Sequence, residues 1–176
     1  SAASDVYKRQ ELAAQTPLPP ASGPCVLPPT AGYRRLANQL YRIEVHQGGP
    51  LAATTIKWSR DNASVATAIL GISGQTLTVQ DTGPDDVLGF AHDQWVEILD
   101  DRMELTDQRG QLIQIDTVNS ATQEITIKAT TPIPLVDQTA HPKLRRWDQF
   151  GPSASANGVP LSTTWLPLED GLEAVS

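Results

Sequence analysis

Between Tyr41 and Ile127 the chain is written mostly in twos. Tyr41, Ile43 and Val45 fall on one face of an extended segment, and Arg42, Glu44 and His46 on the other. A period of two marks a half-buried strand, because successive side chains point to opposite faces. Gly48-Gly49-Pro50 ends it. Thr54, Ile56 and Trp58 then alternate with Thr55, Lys57 and Ser59, and Arg60-Asp61-Asn62 reads as a turn. Val65–Leu70 and Thr76–Gln80 are β-rich runs separated by the Gly71–Gly74 turn. Trp95–Leu99 is a further strand, with Asp100-Asp101 as a tight turn, Arg102–Leu105 after it and Asp107–Gly110 as another turn. Leu112–Val118 and Glu124–Ala129 make a hairpin across Asn119–Gln123, and Leu144–Phe150 is a closing strand.

Strands at this short, even spacing predict an all-β fold: an antiparallel meander with a small barrel-like or sandwich segment near residues 85–130, and few or no helices. Tyr33, Leu36 and Leu40 allow one short helical turn before it. Residues 31–150 are read as the β domain. Residues 11–30 are read as a linker, since six prolines between Gln15 and Thr30 remove backbone donors and fix φ. Residues 151–176 are read as a loop, Gly151–Gly158, followed by Trp165–Val175, the start of a further strand region. The opening Ser-Ala-Ala-Ser-Asp-Val-Tyr-Lys-Arg-Gln, residues 1–10, resembles a translated sequencing-adapter scar and is set apart from the fold. With both ends open in this way, the chain reads as a fragment.

Charge narrows the partners. The formal net charge is −7, and it is unevenly placed. Residues 81–124 hold eleven acids against Arg102 and Arg109, whereas residues 1–80 carry a small basic excess. An acidic chain lacks the basic face that phosphates require, so nucleic acid is not an expected partner. No run of about 18 apolar residues is present, so no membrane-inserting helix is expected. A single cysteine, Cys25, permits neither an internal disulfide nor a thiolate zinc site. The cellular compartment stays open.

The acidic run is the strongest chemical feature. Calcium takes several hard oxygens, which makes Asp81, Asp85 and Asp86 weak candidate ligands. Their spacing lacks the alternating positions and closing Glu of a calcium loop, and solvated turn carboxylates are the better reading. Paired carboxylates also serve glycoside hydrolysis; Asp100 and Asp101, being adjacent, would point to opposite faces of a strand. His46, His92 and His141 are far apart, and no Gly-x-Ser-x-Gly elbow, Walker loop or dinucleotide fingerprint occurs. No catalytic residue and no cofactor is therefore assigned. Aromatic faces stack on sugars: Trp58 and Trp95 read as core residues, Trp165 as a sugar candidate, and Trp147, flanked by Arg145, Arg146 and Asp148, as the exposed one. Trp147, Arg145 and Arg146 are thus the candidate binding residues. An ion pair with the acidic segment is the first reading of the two arginines.

Several stretches together resemble a bacterial family, domain of unknown function 6519. They are Ala31–Arg34, Asn38–His46, Lys57-Trp58-Ser59-Arg60-Asp61-Asn62, Trp95-Val96-Glu97-Ile98, Leu144-Arg145-Arg146-Trp147-Asp148 and Leu168–Gly171. The resemblance implies a longer parent protein, and an association of some members with phage-tail-like or cell-surface proteins. It implies no activity, so no residue inherits a catalytic role. The expectation is a non-catalytic structural or assembly module with a protein partner or self-association. A carbohydrate-binding module and a carboxylate-based glycoside hydrolase fragment are the alternatives.

Overall fold

The computed structural model describes residues 13–15, 40–128, 133, 136–151, 153–161, 166–169 and 172–175. They fall into two compact units, Asn38–Pro160 and the pairing of Ser1–Ala37 with Leu161–Ser176. In the second of these, β1 (Ala13–Gln15) pairs antiparallel with β12 (Leu172–Val175), which pairs in turn with β11 (Leu166–Glu169). Ala13–Gln15, inside the stretch read as a linker, is therefore strand. Trp165–Val175, read as one strand, contains two. Cys25, Trp165, residues 16–30 and most of the helical turn expected before Tyr41 lie outside the described residues.

The larger unit is the mainly antiparallel β structure that the alternation predicts. Six strands close into a barrel in the order β4-β5-β8-β7-β6-β9. They are β4 (Ala66–Ser73), β5 (Thr76–Val79), β6 (Trp95–Leu99), β7 (Gln111–Asn119), β8 (Glu124–Ile127) and β9 (Lys143–Trp147). The barrel thus begins earlier and ends later than residues 85–130. Its inward positions hold Ile69, Leu77, Val79, Val96, Ile98, Ile113, Ile115, Ile125, Ile127 and Leu144, with Phe90 packed among them. β-Branched side chains suit a pleated wall, and burying each such side chain contributes ~1.5–3 kcal/mol.

One inward position breaks the rule. Arg146 follows Leu144 on the inward face of β9 and is buried. Its Nη1 donates to the carbonyls of Gly89 at 2.6 Å and Val87 at 3.0 Å, and its Nε lies 3.3 Å from Asp148 Oδ1. The loop that supplies those carbonyls closes tightly. A Cβ on Gly89 would lie 2.3 Å from the Thr82 carbonyl oxygen, so only glycine fits.

Outside the barrel lies a three-stranded sheet in the order β10-β3-β2, made of β10 (Val159–Pro160), β3 (Thr55–Ser59) and β2 (Arg42–Gln47). Between β6 and β7 the chain forms α1 (Asp101–Leu105), where a tight turn at Asp100-Asp101 was expected. Asp100 is its N-cap: Oδ1 accepts from the Met103 amide at 2.8 Å, satisfying a donor that a helix start leaves unpaired.

A buried ion pair and the cleft above it

Glu97 sits in the middle of β6 between Val96 and Ile98, and points the other way, out of the barrel wall. The residue is 0% exposed because β3 crosses over it. Four hydrogen bonds meet its carboxylate. Lys57 Nζ donates to both oxygens at 2.6 Å, the Gly110 amide to Oε1 at 2.9 Å, and the Trp147 indole Nε1 to Oε2 at 2.8 Å. Lys57 Nζ also lies 4.5 Å from the centroid of the Trp147 ring, a cation–π contact in a desolvated place. Gly110 is required here, since a Cβ would fall 2.2 Å from the Ile98 carbonyl oxygen and 2.7 Å from Glu97 Cγ.

The alternation of β2 and β3 explains how a lysine reaches this spot. Glu44 pairs with Lys57 and Ile43 with Trp58, so one face of the sheet is polar and the other apolar. The polar face is the one turned to the barrel. The alternation groups Arg42, Glu44 and His46 as one face of a half-buried strand, and the structure makes that face the covered one. His46 is buried and Val45 is 50% exposed. A register shift between Val45 and Gln47 leaves His46 as the extra residue of a β-bulge, a device that re-aims a side chain. On the apolar face Trp58 is buried against Tyr41, with centroids 6.3 Å apart, and against the edge of Phe150 at 6.0 Å.

Above the ion pair opens a cleft of about 750 Å³, bounded by β2, α1 and the turn before β7. Glu44 Oε2 stands 3.3 Å from Lys57 Nζ, and Oε1 takes a hydrogen bond from Arg42. Burial pushes the Glu44 carboxyl up, but the Lys57 ammonium and the Arg42 guanidinium outweigh it and hold its pKa below the usual value. Burial, and then the Lys57 charge, push the His46 pKa down and favour the neutral ring, against the opposing pull of the Glu97 carboxylate. Arg109 Nη1 donates to the His46 carbonyl at 2.5 Å. At the rim Glu104 bridges Lys143 at 2.5 Å and Arg145 at 2.9 Å.

The residues singled out from the sequence lie elsewhere or in other roles. Trp147 is 0% exposed rather than at the surface; it alternates in phase with Arg145, and both face the covered side of the barrel wall. Arg146 is buried in the barrel mouth. Arg145 does pair with the acidic segment, through Glu104. Asp81 Oδ1 accepts the Gly83 amide at 2.9 Å, and Asp85 Oδ1 accepts those of Val87 and Leu88 at 2.8 Å, so both close turns. The Leu88 and Val87 amides hold the Asp85 carboxyl below its usual pKa. Among the described residues no three Asp, Glu, His or Cys side chains gather as a metal would need. His92 and His141 are exposed, His141 beside Asp101 at 2.7 Å. The sequence did carry a signal for the missed pair. Lys57 lies between Ile56 and Trp58, and Glu97 between Val96 and Ile98: opposite charges, each alone inside an apolar strand.

Three of the stretches that carry the family resemblance, Lys57–Asn62, Trp95–Ile98 and Leu144–Asp148, converge at this seam. Lys57, Glu97 and Trp147 form its centre. Ser59 Oγ and the Arg60 amide both donate to Asp148 Oδ2 at 2.8 Å, tying the turn after β3 to the end of β9. The backbone between Asp61 and Ala63 is left-handed throughout, with φ of 52°, 56° and 54°, a strained conformation that this clamp holds. Fold and seam together define a closed six-stranded antiparallel barrel with a sheet locked to its wall by a buried ion pair. The chain belongs to the family of unknown function DUF6519, whose model matches residues 2–175. No curated protein and no solved structure matches it.

Proposed function

We propose that this chain is a non-catalytic structural or assembly module of a larger bacterial protein, in a cell-surface or phage-tail-like setting, with a protein partner or a second copy on its surface. One observation supports this: the charged groups at the floor of the cleft are committed to one another. An acid–base pair needs a carboxylate with lone pairs open to substrate. Glu44 and Glu97 do converge, but Lys57 stands between them and Glu97 accepts four hydrogen bonds. That disfavours the hydrolase alternative, and suits a rigid surface that recognises without reacting.

Size-exclusion chromatography with light scattering on the full-length parent tests the reading. A defined oligomer or a stoichiometric complex is expected. A strict monomer that hydrolyses a chromogenic glycoside, with turnover abolished by Glu44→Gln, would overturn it.

A further inference from the structure

A second groove, of about 500 Å³, runs along the outer barrel face beside the seam. Its floor is Trp95 and Gln114, directly paired across β6 and β7. Trp95 is half-buried, packed on the fully buried Trp147 behind it. Phe150, 55% exposed, stands at the side. Facing these rings is a set of polar groups ordered by the protein itself. Lys128 Nζ donates to Asp93 Oδ1 and to Gln114 Oε1, and Gln114 Nε2 donates to the Asp93 carbonyl at 2.8 Å.

Gln149 adds the observation that points to a ligand. The residue is 3% exposed and lines the groove; its Nε2 donates to the Ser155 carbonyl at 3.1 Å, and its Oε1 is buried with no hydrogen-bond partner. Buried acceptors are rarely left so. A turn of this side chain toward the groove would let a ligand hydroxyl satisfy it.

From these features we infer that the groove binds one neutral sugar ring. A pyranose has an apolar face of C–H groups, which suits a half-exposed indole and a phenyl edge. Its rim of hydroxyls both donates and accepts, which suits a carboxylate, two amides and an ammonium held in place beforehand. The charges of Asp93 and Lys128 cancel, which favours a neutral ring over a phosphate or a uronate. The groove shares no residue with the Lys57–Glu97 cleft, and the inference goes beyond the assembly role. It also replaces Trp147, which is buried, as the stacking residue.

A glycan array followed by saturation-transfer NMR on the full chain with neutral mono- and oligosaccharides tests this. Binding is expected in the millimolar range. Phe150→Ala should weaken it by up to about tenfold, the worth of a ring contact, and because Phe150 also packs edge-on against Trp58 the loss counts only in a variant with wild-type circular dichroism. Gln149→Met, which keeps the volume and removes the acceptor, should weaken it further, whereas Arg109→Ala in the other cleft should leave it unchanged. No hit on the array and no transfer at millimolar sugar would overturn the inference. So would binding that Phe150→Ala and Gln149→Met leave intact in variants with wild-type circular dichroism.

Discussion

Replacing Lys57 by methionine tests the seam most directly. The change keeps the aliphatic stem but removes two of the four hydrogen bonds to Glu97, each at 2.6 Å, and the ammonium beside it. Glu97 has no exposure through which water could compensate. Breaking a buried pair from one side costs about 3–5 kcal/mol, because a charge is left without its partner. Set against a total of about 5–15 kcal/mol, that is a large share of the stability. For a chain of this size each kcal/mol moves Tm by roughly 2–4 °C, so Lys57→Met should melt roughly 6–20 °C lower. Denaturant unfolding followed by tryptophan fluorescence is a suitable assay, since Trp147 reports on the seam itself. The double variant Lys57→Met/Glu97→Gln removes the charge and keeps one acceptor oxygen, for either the indole or the Gly110 amide. It should be more stable than Lys57→Met alone. A single variant within about 1 kcal/mol of the parent, the range of an exposed pair, would refute the argument.

Three further outcomes follow from the same geometry. His46→Gln should flatten the fall in denaturation midpoint between about pH 7 and 5. The folded pKa of His46 lies below its ordinary 6.5, so the unfolded chain takes the proton first and stability drops as pH falls through that value; a midpoint that falls as steeply in the variant would contradict this. Glu44, held below 4.5, contributes stability above that pH and loses it only as pH falls through its folded value, so the Glu44 limb should survive in His46→Gln. Gly110→Ala should cost about 1–3 kcal/mol or more by forcing a methyl against the Ile98 carbonyl, measured by the same unfolding curve. Glu104→Ala, at the half-exposed rim, should cost no more than about 1 kcal/mol despite its two basic partners, and a larger loss would mean that the rim network is misjudged.

Much of the barrel was legible because alternation is a local property. Val96 and Ile98, Ile113 and Ile115, and Ile125 and Ile127 announce their strands and their inward face. Alternation does not say what covers the other face. Lys57 and Glu97 are 40 residues apart, and only the crossing of β3 over β6 makes them partners. For the same reason alternation alone leaves open whether the face bearing Arg42, Glu44 and His46 is covered. Trp147 looked exposed because of its charged neighbours: Arg146 points into the barrel, Arg145 lies beside it on the covered wall, and Asp148 accepts from Ser59 and the Arg60 amide. The five residues of α1 are too few for a helical period to show, and Asp100 signals turn and helix cap equally well.

Closure of the barrel has a consequence for how copies of this chain could join. Every barrel strand is hydrogen-bonded on both sides, so none can template an incoming backbone. Among the described residues, open strand borders belong to the outer strands of the two small sheets: β2 and β10, and β1 and β11. Growth by strand addition, if this chain polymerises, is channelled to those borders, while the barrel stays inert to aggregation.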